Sequence, residues 1–225
     1  MNGIRGNVIV GQSGGPTAVI NSSLAGVFKT AKDRGANKVY GMLHGIQGLL
    51  QERYVDLEDH IKNDLDIELL KRTPSAYLGS CRFKLPDISQ DREIYDKIFD
   101  ILNKLEIEYF FYIGGNDSMD TIKKLSDYSL LNGSNIRFMG VPKTIDNDLA
   151  ATDHTPGYGS AAKYIGSITK EVIRDGLVYD QQNVTILDIM GRNAGWLTGA
   201  AALAKCEDCE GPDMIFLPEV TFDVD

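Results

Sequence analysis

VIVGQSGGPTAVIN, residues 8–21, decides the fold class. Val8, Ile9 and Val10 form a β-branched run of the kind that fills a buried strand. The chain then turns at Gly11, Gly14 and Gly15 before Pro16 and Thr17, which are placed to open a helix. A strand that ends in glycines and leads into a helix presents backbone amides with no side chain in front of them, so a phosphate group can approach closely. The same glycines also suit a plain tight turn from strand to helix, and the loop alone does not separate the two uses. It is neither GxGxxG nor GxxxxGK[ST], which counts against an ordinary dinucleotide dehydrogenase and against a nucleotide triphosphatase of the lysine-loop type.

The strand–glycine–helix unit recurs along the chain. Short β-branched or aromatic runs at 39–43, 109–113, 136–141, 184–189 and 214–217 read as further buried strands. Between them, apolar residues return every three or four positions at Ile94, Ile98, Ile101, Leu102 and Leu105, and again at Ile165, Ile168, Val172 and Ile173, the spacing of a helix with one buried face. Parallel neighbours need crossover connections, and those connections cover both faces of the sheet. The alternation therefore predicts an α/β fold, a doubly wound and mostly parallel sheet with helices on both faces. Ligands of such sheets bind beyond the carboxyl ends of the strands.

Composition narrows the function. The 225 residues are 43% hydrophobic and 24% charged, as in a folded globular protein, and carry a formal net charge of −9. An acidic chain of this kind repels the phosphates of nucleic acids and anionic membranes, so any phosphate it binds must be held locally. No apolar run approaches the roughly 20 residues of a bilayer span, and the N-terminal stretch has no signal-peptide hydrophobic segment, so a cytoplasmic location is expected. Cys81, Cys206 and Cys209 are too few for a disulfide scaffold. The CxxC at Cys206 and Cys209 lacks the second pair that a zinc site needs and reads as structural, and His44, His60 and His154 are scattered without ligand spacing.

Four strand ends carry polar chemistry. After the first strand come the glycines already quoted; after Ile113 comes GGNDSMDT, after Val141 PKTIDND, and after Ile189 MGRNAGW. In the second of these, Gly115 precedes Asn116, Asp117 and Ser118 at a helix start. Asp117 or Ser118 could cap that helix, or Asn116 or Asp117 could touch a metal-bound phosphate through oxygen, as magnesium prefers. In the third, Lys143, Thr144, Asp146, Asn147 and Asp148 crowd together where a turn needs only one such residue. A carboxylate there can take a proton from a sugar hydroxyl, and a lysine can neutralise charge on a transferred group; Asp148 could instead orient the lysine or a metal-bound water. Arg192 offers forked donors to phosphate, Glu219 can accept from sugar hydroxyls, and Arg82 follows Gly79 and Ser80 in LGSCR, a setting that permits contact with a phosphate.

In this order, GGPTAVIN, LGSCR, GGNDS, PKTIDND, MGR and PEV resemble the signature set of the phosphofructokinase family. The resemblance spans essentially the whole chain and implies magnesium-dependent phosphoryl transfer to the 1-hydroxyl of fructose 6-phosphate in the cytoplasm. It implies a donor-phosphate-binding domain over 1–150 and the first part of a sugar-phosphate-binding domain over 151–225. By matching position, Gly11 lines the donor loop with Gly14 and Gly15, and Arg82 contacts the donor. Asp146 is the proton acceptor, and Asp148 helps hold the phosphoryl group and metal. Thr144, Ile145 and Asp146 line the sugar-phosphate site with Met190, Gly191, Arg192 and Glu219. ATP-using relatives have GGDGS and PGTIDND, with glycines where this chain has Asp117 and Lys143. A carboxylate repels the α-phosphate of a nucleotide, and a lysine suits compact pyrophosphate, so the pair resembles the pyrophosphate-dependent branch. Asn116 stands where the family's metal-binding aspartate is usual, which leaves metal contact to Asn116 itself or to Asp117. Asn183 stands where ATP-using relatives place an arginine that reaches a neighbouring subunit. The sequence stops soon after PEV, where the family continues, so these 225 residues are expected to be a fragment with little activity of their own, and the full-length protein a homo-oligomer. The rival readings are an ATP-dependent enzyme of the same family and a non-catalytic sugar-phosphate-binding subunit.

Overall fold

The computed structural model describes residues 6–191 and 193–223. The chain divides into two compact units, one ending at Lys143 and one starting at Thr144. In chain order, the first contains β1 (Asn7–Gln12), α1 (Ile20–Asp33), β2 (Val39–Met42), α2 (Gly45–Leu49), β3 (Tyr54–Asp56), α3 (Asp64–Arg72), α4 (Arg92–Lys104), β4 (Ile107–Gly114), α5 (Asn116–Leu131) and β5 (Arg137–Pro142).

These five strands form one sheet in the order β3-β2-β1-β4-β5, parallel throughout except for β3, which pairs antiparallel with β2. The central strand β1 is buried along its whole length, and its alternate residues feed two cores. Val8 and Val10 pack with Ile20, Leu24 and Phe28 of α1 on one face. Ile9 packs with Ile98 and Leu102 of α4, Leu125 of α5 and Phe110 of β4 on the other. Each such side chain, fully withdrawn from water, contributes about 1.5–3 kcal/mol of transfer free energy, so the two-sided burial expected of a doubly wound sheet holds the strand in register. Both strands flanking β1 run parallel to it, and chain order reverses across it. The switch point therefore lies between β1 and β4, where the loops that follow these strands diverge.

Two sequence expectations change here. The helix after the first glycine loop begins at Ile20, not at Pro16 or Thr17, so the loop is longer than its Pro-Thr signal suggested. Strand β3 carried no legible run, because its three residues are only half-buried at the sheet edge.

The second unit contains α6 (Tyr158–Gly176), α7 (Trp196–Gly199) and a 3-10 turn over Ala200–Ala204. Ala162, Leu197 and Ala200 form its buried centre, with Ile145, Tyr158, Ala161, Ile165 and Ile189 packed against them. The runs at 184–189 and 214–217, expected as strands, form no ladder, and Val184 and Ile186 are 90% and 87% exposed. Strand propensity expresses fit to a pleated, half-covered surface. Among the described residues of this unit no strand lies beside these runs, so β-branched composition alone does not make them strands.

Candidate functional site

In the first unit, the loops that follow β1, β4 and β5 meet at the switch point. Ser13 N donates to Ile113 O at 2.9 Å, the Ser13 and Ser118 hydroxyls are hydrogen-bonded to each other, and Lys143 N donates to Gly114 O at 3.0 Å. Lys143 is only 5% exposed, and its ammonium donates to Gly15 O at 2.5 Å. Gly14 has φ +75°, and a Cβ placed there would stand 3.3 Å from Lys143 Nζ. Glycine at 14 thus permits both the left-handed turn and the close approach of the lysine. A buried cation held against a glycine loop is an arrangement that can receive an anion.

Helices α1 and α5 both begin at this edge, and their N-cap residues, Val19 and Gly115, put no side chain on the first-turn amides. By contrast, Asn63 caps α3 and Asp91 caps α4. The capping reading of Asp117 and Ser118 therefore falls. Both lie inside the first turn of α5, Ser118 is buried against Ser13, and Asp117 and Asn116 are exposed at the helix start. Gly11 is explained by packing: it lies within β1, and a Cβ there would come 2.5 Å from Met42 Cε and 3.1 Å from Tyr112 Cε2. Gly115 has no such crowding, its nearest neighbour being Lys143 O at 3.7 Å.

The LGSCR segment joins the same loop. Gly14 N donates to Cys81 O at 3.1 Å, and Ser80 Oγ donates to Gly14 O at 2.5 Å, which brings the segment of exposed Arg82 to the glycines. The residues that hold it there were not singled out from sequence as part of the site. Gln12 Nε2 donates to Asn21 Oδ1 at 2.9 Å, Leu78 N donates to Gln12 Oε1 at 2.9 Å, and Tyr77 N donates to Asn21 Oδ1 at 2.9 Å. Asn21 Nδ2 in turn donates to Thr73 O and Ser75 O, both at 2.8 Å. An Asn21→Ala substitution strips several buried groups of their partner, at about 1–3 kcal/mol for each group left unsatisfied. We expect a loss of about 3 kcal/mol in denaturant-induced unfolding, and a loss below about 1 kcal/mol would show that the 73–80 segment is held by other means.

In the second unit, the stretch from Thr144 folds into a closed loop ahead of α6. Thr144 N donates to Pro156 O at 3.0 Å, and Thr155 Oγ1 donates to Thr144 O at 3.0 Å. Asn147, buried and at φ +57°, accepts from Thr155 N at 2.8 Å and donates to Asp153 O at 3.0 Å. Asparagine tolerates the left-handed region and bonds local backbone, so the middle residue of Asp146-Asn147-Asp148 is a staple of the loop. Asp146 N donates to Thr144 Oγ1 at 3.0 Å, Ile145 joins the apolar centre, and Asp148 is exposed beside Asn147 and Trp196 in a shallow pocket. His154, read as an ordinary polar residue, lies on the same rim with its ring stacked on Tyr158.

Met190 is exposed, Gly191 has φ +132°, and Arg192 lies outside the described residues. Glu219 Oε1 accepts from Gly195 N at 2.7 Å, which ties the PEV stretch to the loop that follows MGR. Among the described residues no three His, Cys, Asp or Glu side chains gather to hold a metal by themselves, and no helix is long and apolar enough to cross a membrane.

The first unit is thus a doubly wound α/β body with glycine-lined loops and a buried lysine gathered at its switch point. The phosphofructokinase family matches residues 7–225, and the chain belongs to that family. It is 45% identical over 222 residues to a pyrophosphate–fructose 6-phosphate 1-phosphotransferase of Rhodospirillum rubrum, covering 98% of this chain and 53% of that protein. It is 41% identical over 221 residues to the enzyme of the same name from Halomonas elongata, covering 96% of this chain and 52% of that one. The crystal structure of a pyrophosphate-dependent phosphofructokinase from Nitrosospira multiformis superposes with a TM-score of 0.87 at 41% identity, over 96% of this chain and 54% of that one. The chain spans about half the length of the curated relatives it matches.

Proposed function

We propose that the protein transfers a phosphoryl group from pyrophosphate to the 1-hydroxyl of fructose 6-phosphate, giving fructose 1,6-bisphosphate and phosphate. The observation that carries this reading is Lys143: a buried ammonium fixed on Gly15 O inside the glycine loop, where ATP-using relatives have glycine. A compact, highly charged donor gains most from such a fixed charge. Asp117, exposed in the first turn of α5, adds a negative charge that a nucleotide's α-phosphate would meet.

In this reading the backbone of Gly14, Gly15 and Gly115 and the side chains of Ser118 and Arg82 hold the donor, within a donor-binding part over 1–150. Lys143 balances the charge that develops on the transferred group. Asp146 takes the proton of the attacking hydroxyl, while Thr144, Ile145, Asp148, Met190, Gly191, Arg192 and Glu219 serve the sugar phosphate. The oxygen donors Asn116 and Asp117 suit magnesium, which takes one or two protein oxygens and fills its remaining positions with water and substrate phosphate. When bound, the metal would neutralise phosphate charge. Because a pyrophosphate bond is exchanged for a phosphate ester, the reaction runs in both directions. Two membrane-impermeant substrates support a cytoplasmic site, and the family resemblance supports a homo-oligomer.

Parallel assays of the protein expressed from its complete coding frame, with fructose 6-phosphate and either pyrophosphate or ATP, test the donor. We expect turnover with pyrophosphate at least about 10²-fold above that with ATP, equivalent to about 2.7 kcal/mol of discrimination. Comparable turnover with ATP would overturn the donor assignment.

A further inference from the structure

We infer that Cys206 and Cys209 are a dithiol–disulfide pair that exchanges with small-molecule disulfides, Cys206 being the attacking thiol and Cys209 the resolving one. The two residues close a two-residue turn: Cys206 N donates to Cys209 O at 2.9 Å, and Cys209 N donates to Cys206 O at 3.2 Å. Directly opposed residues of an antiparallel pair place their side chains on one face, with Cα atoms about 5.5 Å apart, inside the range that a disulfide spans. Their Cβ atoms lie about 4.5–5.5 Å apart in such pairs, slightly beyond disulfide spacing, so closure needs only a small movement of the Glu207-Asp208 turn.

The surroundings distinguish the two sulfurs. Cys206 is exposed, whereas Cys209 is 8% exposed. Lys170 Nζ of α6 donates to Cys206 Sγ at 3.0 Å, which places a cation against the exposed sulfur. The thiol itself faces Asp208 Oδ1 at 3.0 Å, an acceptor for its proton. The charge of that carboxylate is balanced by Lys170 at 2.7 Å and by an ion pair with Arg174. The third cysteine, Cys81, is buried against the hydroxyl of Tyr112.

In the first step Cys206 gives its proton to Asp208 and water, and its sulfur attacks one sulfur of the reagent. A mixed disulfide forms, and one thiol leaves. In the second, Cys209 loses its proton and attacks Cys206 Sγ, expelling the second thiol. Two protein thiols are oxidised, and the reagent disulfide is reduced to two thiols.

The test treats the protein from its complete coding frame with glutathione disulfide and follows it by mass spectrometry with non-reducing peptide mapping. The wild type is expected to lose two hydrogens and yield a Cys206–Cys209 linked peptide. Cys209→Ser should stop at one glutathione adduct on Cys206, and Cys206→Ser should leave Cys209 unmodified. Lys170→Met should slow the first step about tenfold by removing the charge beside the attacking sulfur, whereas Lys170→Arg should retain the rate and so separate charge from folding. A wild type that accumulates the adduct without closing the pair, a Cys206→Ser protein modified at Cys209 as fast as the wild type is at Cys206, or an unchanged rate in Lys170→Met would each overturn the inference.

Discussion

Replacing Lys143 with methionine is expected to lower pyrophosphate-driven turnover by about 10²–10³-fold while leaving the fold nearly as stable as before. Methionine keeps the apolar stem and removes only the charge. A unit charge about 4 Å from a phosphate oxygen, at an effective dielectric near 20, is worth about 4 kcal/mol, the size of effect a three-decade loss requires. The stability term is smaller. The bond to Gly15 O is lost, and because Gly15 is exposed, water can take the place of the ammonium there at a cost of about 1 kcal/mol. An ammonium has three N–H donors, so the bond to Gly15 orients the group without spending its charge. Steady-state rates and a denaturation curve on the same variant separate the two effects. Turnover within about threefold of the wild type would show that Lys143 serves the loop rather than the donor. Substituting glycine for Asp117 and Lys143 together carries the same argument to the choice of donor. The ratio of ATP to pyrophosphate kcat/KM should then rise by at least about 10²-fold, because the repulsive charge and the attractive one are both gone.

The parallel core of the first unit was legible because its strands are buried on both faces and are therefore nearly continuous apolar runs, and α4 and α6 were legible from their three-and-four spacing. The same signal misled at 184–189 and 214–217. A β-branched run says what surface a segment would suit and not whether a neighbouring strand exists to pair with it. The start of α1 was misplaced because Pro16 and Thr17 have the chemistry of a helix entry, yet the loop they occupy is held by contacts from Lys143 and Cys81, far along the chain. At the switch point the sequence offered residue types and not a geometry. That a lysine 128 residues away would dock on Gly15 leaves no local trace, and neither does the use of Gln12 and Asn21 to fasten the segment before Arg82. Asn147 was read as one more member of a polar crowd; only its positive φ and its two bonds across the loop mark it as the residue that shapes its neighbours.

Changing Asp146 to asparagine should lower kcat by about 10²–10⁴-fold and leave the KM for fructose 6-phosphate within about twofold. The reason for this split is one of timing. A carboxylate that accepts the hydroxyl proton strengthens its interaction as that proton moves, so its contribution belongs to the transition state and not to the bound substrate. Asparagine preserves size and can still hydrogen-bond the hydroxyl, but it cannot take the proton. Asparagine leaves in place the main-chain bond of residue 146 to Thr144 Oγ1 and the bonds that Asn147 and Thr155 make across the loop. A purely structural role would instead appear as a lower unfolding midpoint with kcat reduced only modestly. A raised KM with kcat intact would assign Asp146 to sugar binding alone and leave the transfer of the hydroxyl proton to another group.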